Sequence, residues 1–168
     1  MKTLFILPLA TMMGIMASCN RNSKSTGNGS DTSSANPLHT ASTLPYQAPP
    51  FDKIKDNDFK PALEQGMKDQ LEEIQKIADN TTAPTFENTI LAMEKSGVLL
   101  RRANNVFNLL TGANTDSVLQ KLEEDIAPKM AATEDAIHLN SKLFKRVEAV
   151  YNDSANSKLD AESQRLVK

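Results

Sequence analysis

The sequence predicts an all-α protein, and two observations support that prediction. From about residue 57 onward, apolar residues recur at spacings of three and four, which is the period of one face of an α-helix. The composition agrees, since only 5% of the 168 residues are aromatic and tryptophan is absent. Leucine, alanine, glutamate and lysine, which favour helices, are plentiful.

Residues 1–18 have the pattern of a secretory signal peptide. Lys2 supplies positive charge, and residues 4–16 (LFILPLATMMGIM) contain no charged side chain. This run is too short to span a bilayer but has the length of a signal-peptide core. Two small residues and Cys19 follow, which resembles the lipobox of bacterial lipoproteins. We therefore expect a lipidated Cys19 to anchor the chain in the cell envelope, at the periplasmic face or outer membrane; a chance cysteine behind an ordinary cleaved signal is the alternative.

Two segments separate this leader from the helices. Residues 19–36 are rich in Ser, Thr, Asn and Gly and lack large apolar side chains, so we predict a flexible tether. Residues 37–56 carry four prolines, which favour an extended arm because proline fixes its own φ and disfavours helix in the residue before it. We expect the arm to dock on the helices through its apolar side chains, which are Leu38, Leu44, Tyr46, Phe51 and Ile54.

Residues 57–168 contain the helices. The first is predicted to start at an Asp58 N-cap, with Pro61 in its first turn, and to end near Asp79. The second is expected to run from Thr85 to a stop at Gly112. Gly97, in the middle of the second, predicts a bend or a close helix contact.

The remaining helices follow the same spacing. A third helix should begin near Thr115 and be kinked or divided at Pro128. A fourth covers residues 141–151, and Asp160 fits the N-cap of a fifth. Two turns of a new helix rarely end a domain, so the sequence is interpreted as part of a longer protein. Among the side chains predicted to be buried are Val118, Leu143, Phe144, Val147 and Tyr151.

Charge and cysteine content exclude two kinds of site. The 19 basic and 21 acidic residues give a formal net charge of -2, and no basic run is present. The sequence therefore lacks the electrostatic footprint of a nucleic-acid-binding protein. A single cysteine can form no internal disulfide, and no set of thiolates is present for zinc.

Three groups of polar residues are candidates for function. Glu134 and His138 lie four apart, so they would share a helix face as a surface ion pair or, if further ligands existed, a metal site. His39 is expected on the surface of the arm. Arg101 and Arg102 could bind a peptide carboxylate by paired hydrogen bonds, or pair with nearby glutamates.

Two acidic groups have similar alternatives. Glu123, Glu124 and Asp125 form one group, and Glu72 with Glu73 forms the other. Either group could attract a basic substrate, but a solvated helix face explains both without a ligand.

Three stretches in sequence order carry a family resemblance. They are residues 36–67 (NPLHTASTLPYQAPPFDKIKDNDFKPALEQGM), residues 84–97 (PTFENTILAMEKSG) and residues 107–147, which include an IAPK turn. Together they resemble the N-terminal region of the peptidyl-dipeptidase Dcp and oligopeptidase A group, relatives of thimet oligopeptidase among the zinc metallopeptidases. The resemblance covers the chain from about residue 36 onward.

The resemblance implies an almost wholly helical enzyme with two lobes around a channel for short peptides. In this family, zinc is held by an H-E-x-x-H helix and a later glutamate, and Dcp-like members remove dipeptides from C-termini. Neither His39 nor His138 precedes a glutamate, so the resemblance places no catalytic, cofactor-binding or metal-binding residue in this chain. It implies a truncated N-terminal lobe that shapes the channel, with zinc held only by the full-length parent.

Two other interpretations remain open at the level of sequence. The chain could be a self-contained helical lipoprotein that binds a partner or peptide without chemistry. It could also be a pseudo-enzyme or truncated gene product that retains only the lobe.

Overall fold

A computed structural model describes residues 36–154 and 159–167. Residues 1–18, Cys19 and nearly all of the expected tether at 19–36 lie outside that part of the chain. The described residues form helices and connecting turns and no strand, which confirms the all-α prediction. The α-helices are α1 (Asp56–Ala78), α2 (Leu91–Glu94), α3 (Val98–Ala113), α4 (Ser117–His138), α5 (Ser141–Asp153) and α6 (Ala161–Val167). Among them, none combines the length and the hydropathy needed to cross a membrane.

Helix α1 begins two residues before the predicted cap. The backbone N–H of Lys55 donates to the Asp58 carboxylate at 2.8 Å, so Asp58 stabilises the first turn from the third helical position. Pro61 consequently lies in the second turn instead of the first, and α1 continues through it. The predicted C-terminal end was correct, since α1 ends at Ala78.

The main hydrophobic core lies where α1 contacts α3 and α4. Phe59 of α1 and Phe107 of α3 are almost fully buried, and their ring centroids are 5.4 Å apart. The rings are tilted by 54° to each other, and this aromatic contact adds specific geometry to the area that the two rings bury. The other buried members of this core are Leu38, Ala62, Leu63, Met67, Leu100, Ala103, Val106, Leu119, Leu122 and Ile126.

The second predicted helix is broken into two segments. The helical segment starts at Thr85 as predicted, and Thr85 is its N-cap, because the Thr85 hydroxyl accepts from the Asn88 N–H and the Asn88 side chain accepts from the Thr85 N–H. A π-helical turn (Phe86–Ile90) then leads into α2. At Gly97 the backbone is left-handed, with φ of 65°, and the Gly97 N–H donates to a Glu73 carboxylate oxygen at 2.8 Å. The predicted bend is therefore a complete break, held against α1.

Helix α3 ends one residue beyond the predicted stop, and α4 is not divided at the predicted proline. Gly112 lies inside the last turn of α3, which ends at Ala113. Pro128 does not divide α4, which is a single helix from Ser117 to His138. Pro128 is exposed, and α4 packs on the main core both before and after it, through Ile126 and Met130. That packing outweighs the one hydrogen bond that proline cannot donate.

The arm is only partly extended and only partly docked. It contains a 3-10 turn (Pro45–Gln47) in which Tyr46 has a positive φ of 57°. Leu38 is buried and Ile54 packs on the main core as predicted. The expected docking of the remaining apolar residues was wrong, because Leu44, Phe51 and Tyr46 are exposed.

The buried faces of α4 and α5 are rotated from those predicted. Val118, Phe144 and Tyr151 are about half or more exposed, so the expectation that they are buried was wrong. Leu119 replaces Val118 in the main core. In α5, Arg146 lies on the buried face together with Leu143 and Val150.

Two smaller cores attach α5 and α6. Ile74, Ile77 and Ala78 of α1 pack with Leu143 of α5. Val167 of α6 packs with residues of α5 and the π-helical turn. Asp160 caps α6 as predicted, because its carboxylate accepts from the Ser163 N–H at 2.7 Å, which lowers the pKa of Asp160.

Candidate functional site

The predicted lipidation site, Cys19, lies outside the described residues. His39 is exposed, as expected for the arm. His138 is also exposed and its Nδ1 lies 2.8 Å from the backbone oxygen of Glu134. This contact uses the Glu134 carbonyl instead of its carboxylate, so the predicted ion pair between the two side chains is absent from the described part of the chain.

Arg101 and Arg102 do not pair with glutamates in the part of the chain that the structure covers. The Arg102 guanidinium donates to the backbone oxygen of Leu38 at 3.1 Å and thereby holds the arm against α3. The Arg101 guanidinium makes one long hydrogen bond, 3.4 Å, to the backbone oxygen of Ser96. Of the two arginines, Arg101 is the more exposed and the less constrained.

The acidic groups have separate roles. Glu73 fixes the break at Gly97, while Glu72 lies 4.0 Å from Lys68 in an exposed pair. Asp125 accepts from Lys60 at 2.6 Å and from Lys129 at 3.2 Å. Glu123 and Glu124 are exposed on α4, as expected for a solvated helix face.

Lysines and carboxylates alternate along the contact between α1 and α4. Lys60 pairs with Asp125, Asp125 with Lys129, and Lys129 with Glu64 of α1. Hydrogen bonds from Lys60 and Lys129 lower the pKa of Asp125, and hydrogen bonds to Glu64 and Asp125 raise the pKa of Lys129. The pairs are about half exposed, so solvent screens them and their contribution to stability is small.

A pH dependence follows from the lowered pKa of Asp125. The unfolded chain takes up its proton near pH 3.8 and the folded chain at a lower pH, so this stabilisation is present above pH 3.8 and is lost as the pH falls through the folded pKa. We expect Asp125→Asn to lose stability at pH 7 but to show a weaker further loss on acidification. Urea unfolding at pH 7 and at a pH below 3.8 measures this loss of stability. Glu123→Gln is the matched control. Parallel pH profiles for wild type and Asp125→Asn would contradict the assignment.

Sequence reasoning missed the most elaborate polar cluster, which surrounds Arg146. This side chain is 6% exposed. Its Nη1 donates to the backbone oxygens of Asn80 and Thr82 at 2.6 and 3.0 Å, and its Nη2 donates to Asn88 Oδ1 and Thr89 Oγ1 at 2.8 and 3.3 Å. Arg146 thus joins α5 to the loop after α1 and to the π-helical turn.

A signal for Arg146 was present in the sequence. It lies three residues after Leu143 and four before Val150, which is the spacing of a buried helix face. A charged residue on such a face indicates a buried hydrogen-bonded cluster.

The structure brings three of the predicted site residues to one pocket. Arg101 of α3 and Glu134 and His138 of α4 line a pocket of about 370 Å³, together with Gln70 of α1. We call this the α1–α3–α4 pocket. Its volume is in the range of small-molecule sites. Arg102 and His39 do not line it.

A larger and more open groove lies at the start of α1 and α4. It has a volume of about 1270 Å³ and is lined by Lys60, Glu64, Val118, Leu122 and Asp125, among others. Within this groove Lys60 pairs with Asp125, and Glu64 pairs with Lys129.

The described residues do not form a zinc site. They contain no cluster of three or more His, Cys, Asp or Glu side chains placed to hold a metal ion. Since zinc sites in proteins use three or four such ligands, the residues that the structure describes do not fit the metal of the family that the sequence resembles.

Comparison with known proteins supports the family resemblance. The chain is 47% identical over 134 residues to a dipeptidyl carboxypeptidase of Salmonella typhimurium and 46% identical over 132 residues to a dipeptidyl carboxypeptidase of Escherichia coli. These matches cover 80% and 79% of this chain but 20% and 19% of the relatives, so the chain spans about a fifth of their length. No family model matches the sequence.

Proposed function

Because this chain is homologous to part of the dipeptidyl carboxypeptidases, we propose that it is a helical portion of an enzyme that hydrolyses short peptides and releases dipeptides from their C-termini. The observation that supports this most strongly is 47% identity sustained over 134 residues. At that identity a shared fold over the matched residues is secure, and a shared activity of the parent is the simplest interpretation.

In this proposal the chain forms part of the wall of the peptide channel, and the catalytic residues belong to the rest of the longer enzyme. The described residues offer no set of metal ligands, so the zinc and the residues that activate water would come from sequence beyond this chain. Helices α1, α3 and α4 share one core, which makes them a rigid wall. Such a wall suits a channel that admits short peptides and excludes folded proteins.

The peptidase proposal is tested with the longest reading frame that contains this chain. We expect the purified product to release alanyl-leucine from N-benzoyl-glycyl-alanyl-leucine, and to lose that activity with a chelator and regain it with zinc. The 168-residue chain alone should release no dipeptide and bind no stoichiometric zinc. The same peptide with an amidated C-terminus is the control for C-terminal recognition. Turnover by the 168-residue chain would overturn the division of roles.

We further propose that Cys19 is lipidated and holds the protein at a membrane of the bacterial cell envelope. The leader at residues 1–18 and the position of Cys19 support this. We expect Cys19→Ser to abolish incorporation of labelled palmitate and to move the protein from the membrane to the soluble fraction. Ser18→Thr is a control that keeps the thiol. Equal membrane retention of Cys19→Ser and wild type would contradict lipidation.

A further inference from the structure

The charged residues of the α1–α3–α4 pocket are not neutralised by one another. Arg101 and Glu134 both line the pocket, yet neither forms an ion pair within the described ranges 36–154 and 159–167. The single hydrogen bond of the Arg101 guanidinium is 3.4 Å long, and the Glu134 carboxylate makes none with another described residue. The pocket therefore presents one cation and one anion that are free to bind a ligand carrying both charges.

The pocket also contains three side-chain amides. Gln70, Asn104 and Asn105 line the same pocket, and no other described residue forms a hydrogen bond with their side chains. Each amide offers both donors and an acceptor. A peptide group needs the same pairing, because its N–H donates and its carbonyl accepts.

The floor of the pocket is apolar. Leu100 is 7% exposed, and the partly buried side chains of Met130 and Ile137 complete this surface. The wall near Arg101 is stiffened by the bond between the Gly97 N–H and Glu73. An apolar floor with a few convergent polar groups is typical of a small-ligand site.

We propose that the α1–α3–α4 pocket binds a free dipeptide. The ligand's carboxylate pairs with the Arg101 guanidinium, its ammonium group pairs with the Glu134 carboxylate, and the side-chain amides bond its peptide group. An apolar ligand side chain covers Leu100, Met130 and Ile137. Binding of a dipeptide here needs no catalytic residue from the rest of the longer enzyme, so it can be tested separately from the proposed peptidase activity.

The test is a titration of the full 168-residue chain with L-alanyl-L-leucine, monitored by calorimetry or NMR. We expect saturable binding of one dipeptide per chain, weakened at least about tenfold by Arg101→Gln or by Glu134→Gln, since each removes one charge-assisted contact. Lys145→Gln and Glu148→Gln, on the exposed face of α5, are matched controls and should bind within about twofold of wild type.

Blocked ligands separate the two charged contacts. N-acetyl-alanyl-leucine should bind weakly and be insensitive to Glu134→Gln, whereas alanyl-leucine amide should bind weakly and be insensitive to Arg101→Gln. Absence of saturation by the free dipeptide at about 10 mM would overturn the proposal. So would blocked peptides that bind as tightly as the free one, or variants that bind normally. Circular dichroism of each variant confirms that the helices are intact.

Discussion

Replacing Arg146 with methionine is expected to lower the free energy of unfolding by about 3 to 5 kcal/mol. Methionine fills a similar volume but donates no hydrogen bond. The carbonyl oxygens of Asn80 and Thr82 and the Thr89 hydroxyl would lose the guanidinium donor. Asn88 Oδ1 would also lose it but would keep its bonds from the Thr85 N–H and the Thr89 hydroxyl. Unpaired polar atoms in a buried site are more costly than the average hydrogen bond suggests.

Two further variants accompany this one: the first tests whether the charge of Arg146 is sufficient without its planar shape, and the second is a surface control. Arg146→Lys keeps the charge but cannot present the planar fork that reaches two backbone and two side-chain oxygens, so we expect an intermediate loss. Lys145→Met changes an exposed neighbour on the same helix and should alter stability by less than about 0.5 kcal/mol. Urea unfolding followed by circular dichroism measures all three. A loss below about 1 kcal/mol for Arg146→Met would contradict the cluster's role.

Gly66→Ala is expected to destabilise the protein by about 1 to 3 kcal/mol, although alanine is the better helix former. Gly66 lies in α1 where it crosses α3. A Cβ atom at this position would lie 2.7 Å from both the backbone nitrogen and the Cα of Leu100. Backbone atoms cannot rotate aside as a side chain can, so the two helices would have to separate and the core between them would loosen.

Gly112→Ala is the matched control, because Gly112 is also helical but a Cβ there would meet nothing within 4 Å. We expect that change to stabilise the protein by about 0.5 to 1 kcal/mol through helix propensity alone. The two alanine substitutions should therefore shift the thermal midpoint in opposite directions. Shifts of the same sign would mean that the approach of α1 to α3 does not depend on the missing side chain.

Local patterns in the sequence predicted the helices better than their faces. The apolar spacing from about residue 57 located α1. Thr85 was correctly predicted to begin the second helix and Asp160 to cap the last, because these signals act within one or two turns. The buried face of α4 was mispredicted at Val118, because the side of a helix that is buried depends on how it packs against the neighbouring helices. Gly97 was recognised as unusual, but its complete break also depends on Glu73 of α1.

The candidate pocket was predictable only in part. Arg101, Glu134 and His138 were each selected by their chemistry, as a carboxylate binder and as a pair four residues apart. Their meeting in one pocket depends on how α3 and α4 pack on α1, which no spacing within one helix reveals. The amides of Gln70 and Asn104 carry no sequence signal, because Asn and Gln are common on exposed helix faces.

The first described residues set the boundary at which this unit can be cut. Asn36 donates through its side chain to the backbone oxygen of Asp58 at 2.7 Å, Arg102 holds the backbone of Leu38, and Leu38 is 2% exposed in the main core. A recombinant version that starts at Asp56 would retain helices α1 to α6 but would leave a cavity in the main core at the position of Leu38. The helical core is therefore incomplete without the residues before its first helix, and any expression design should include residue 36.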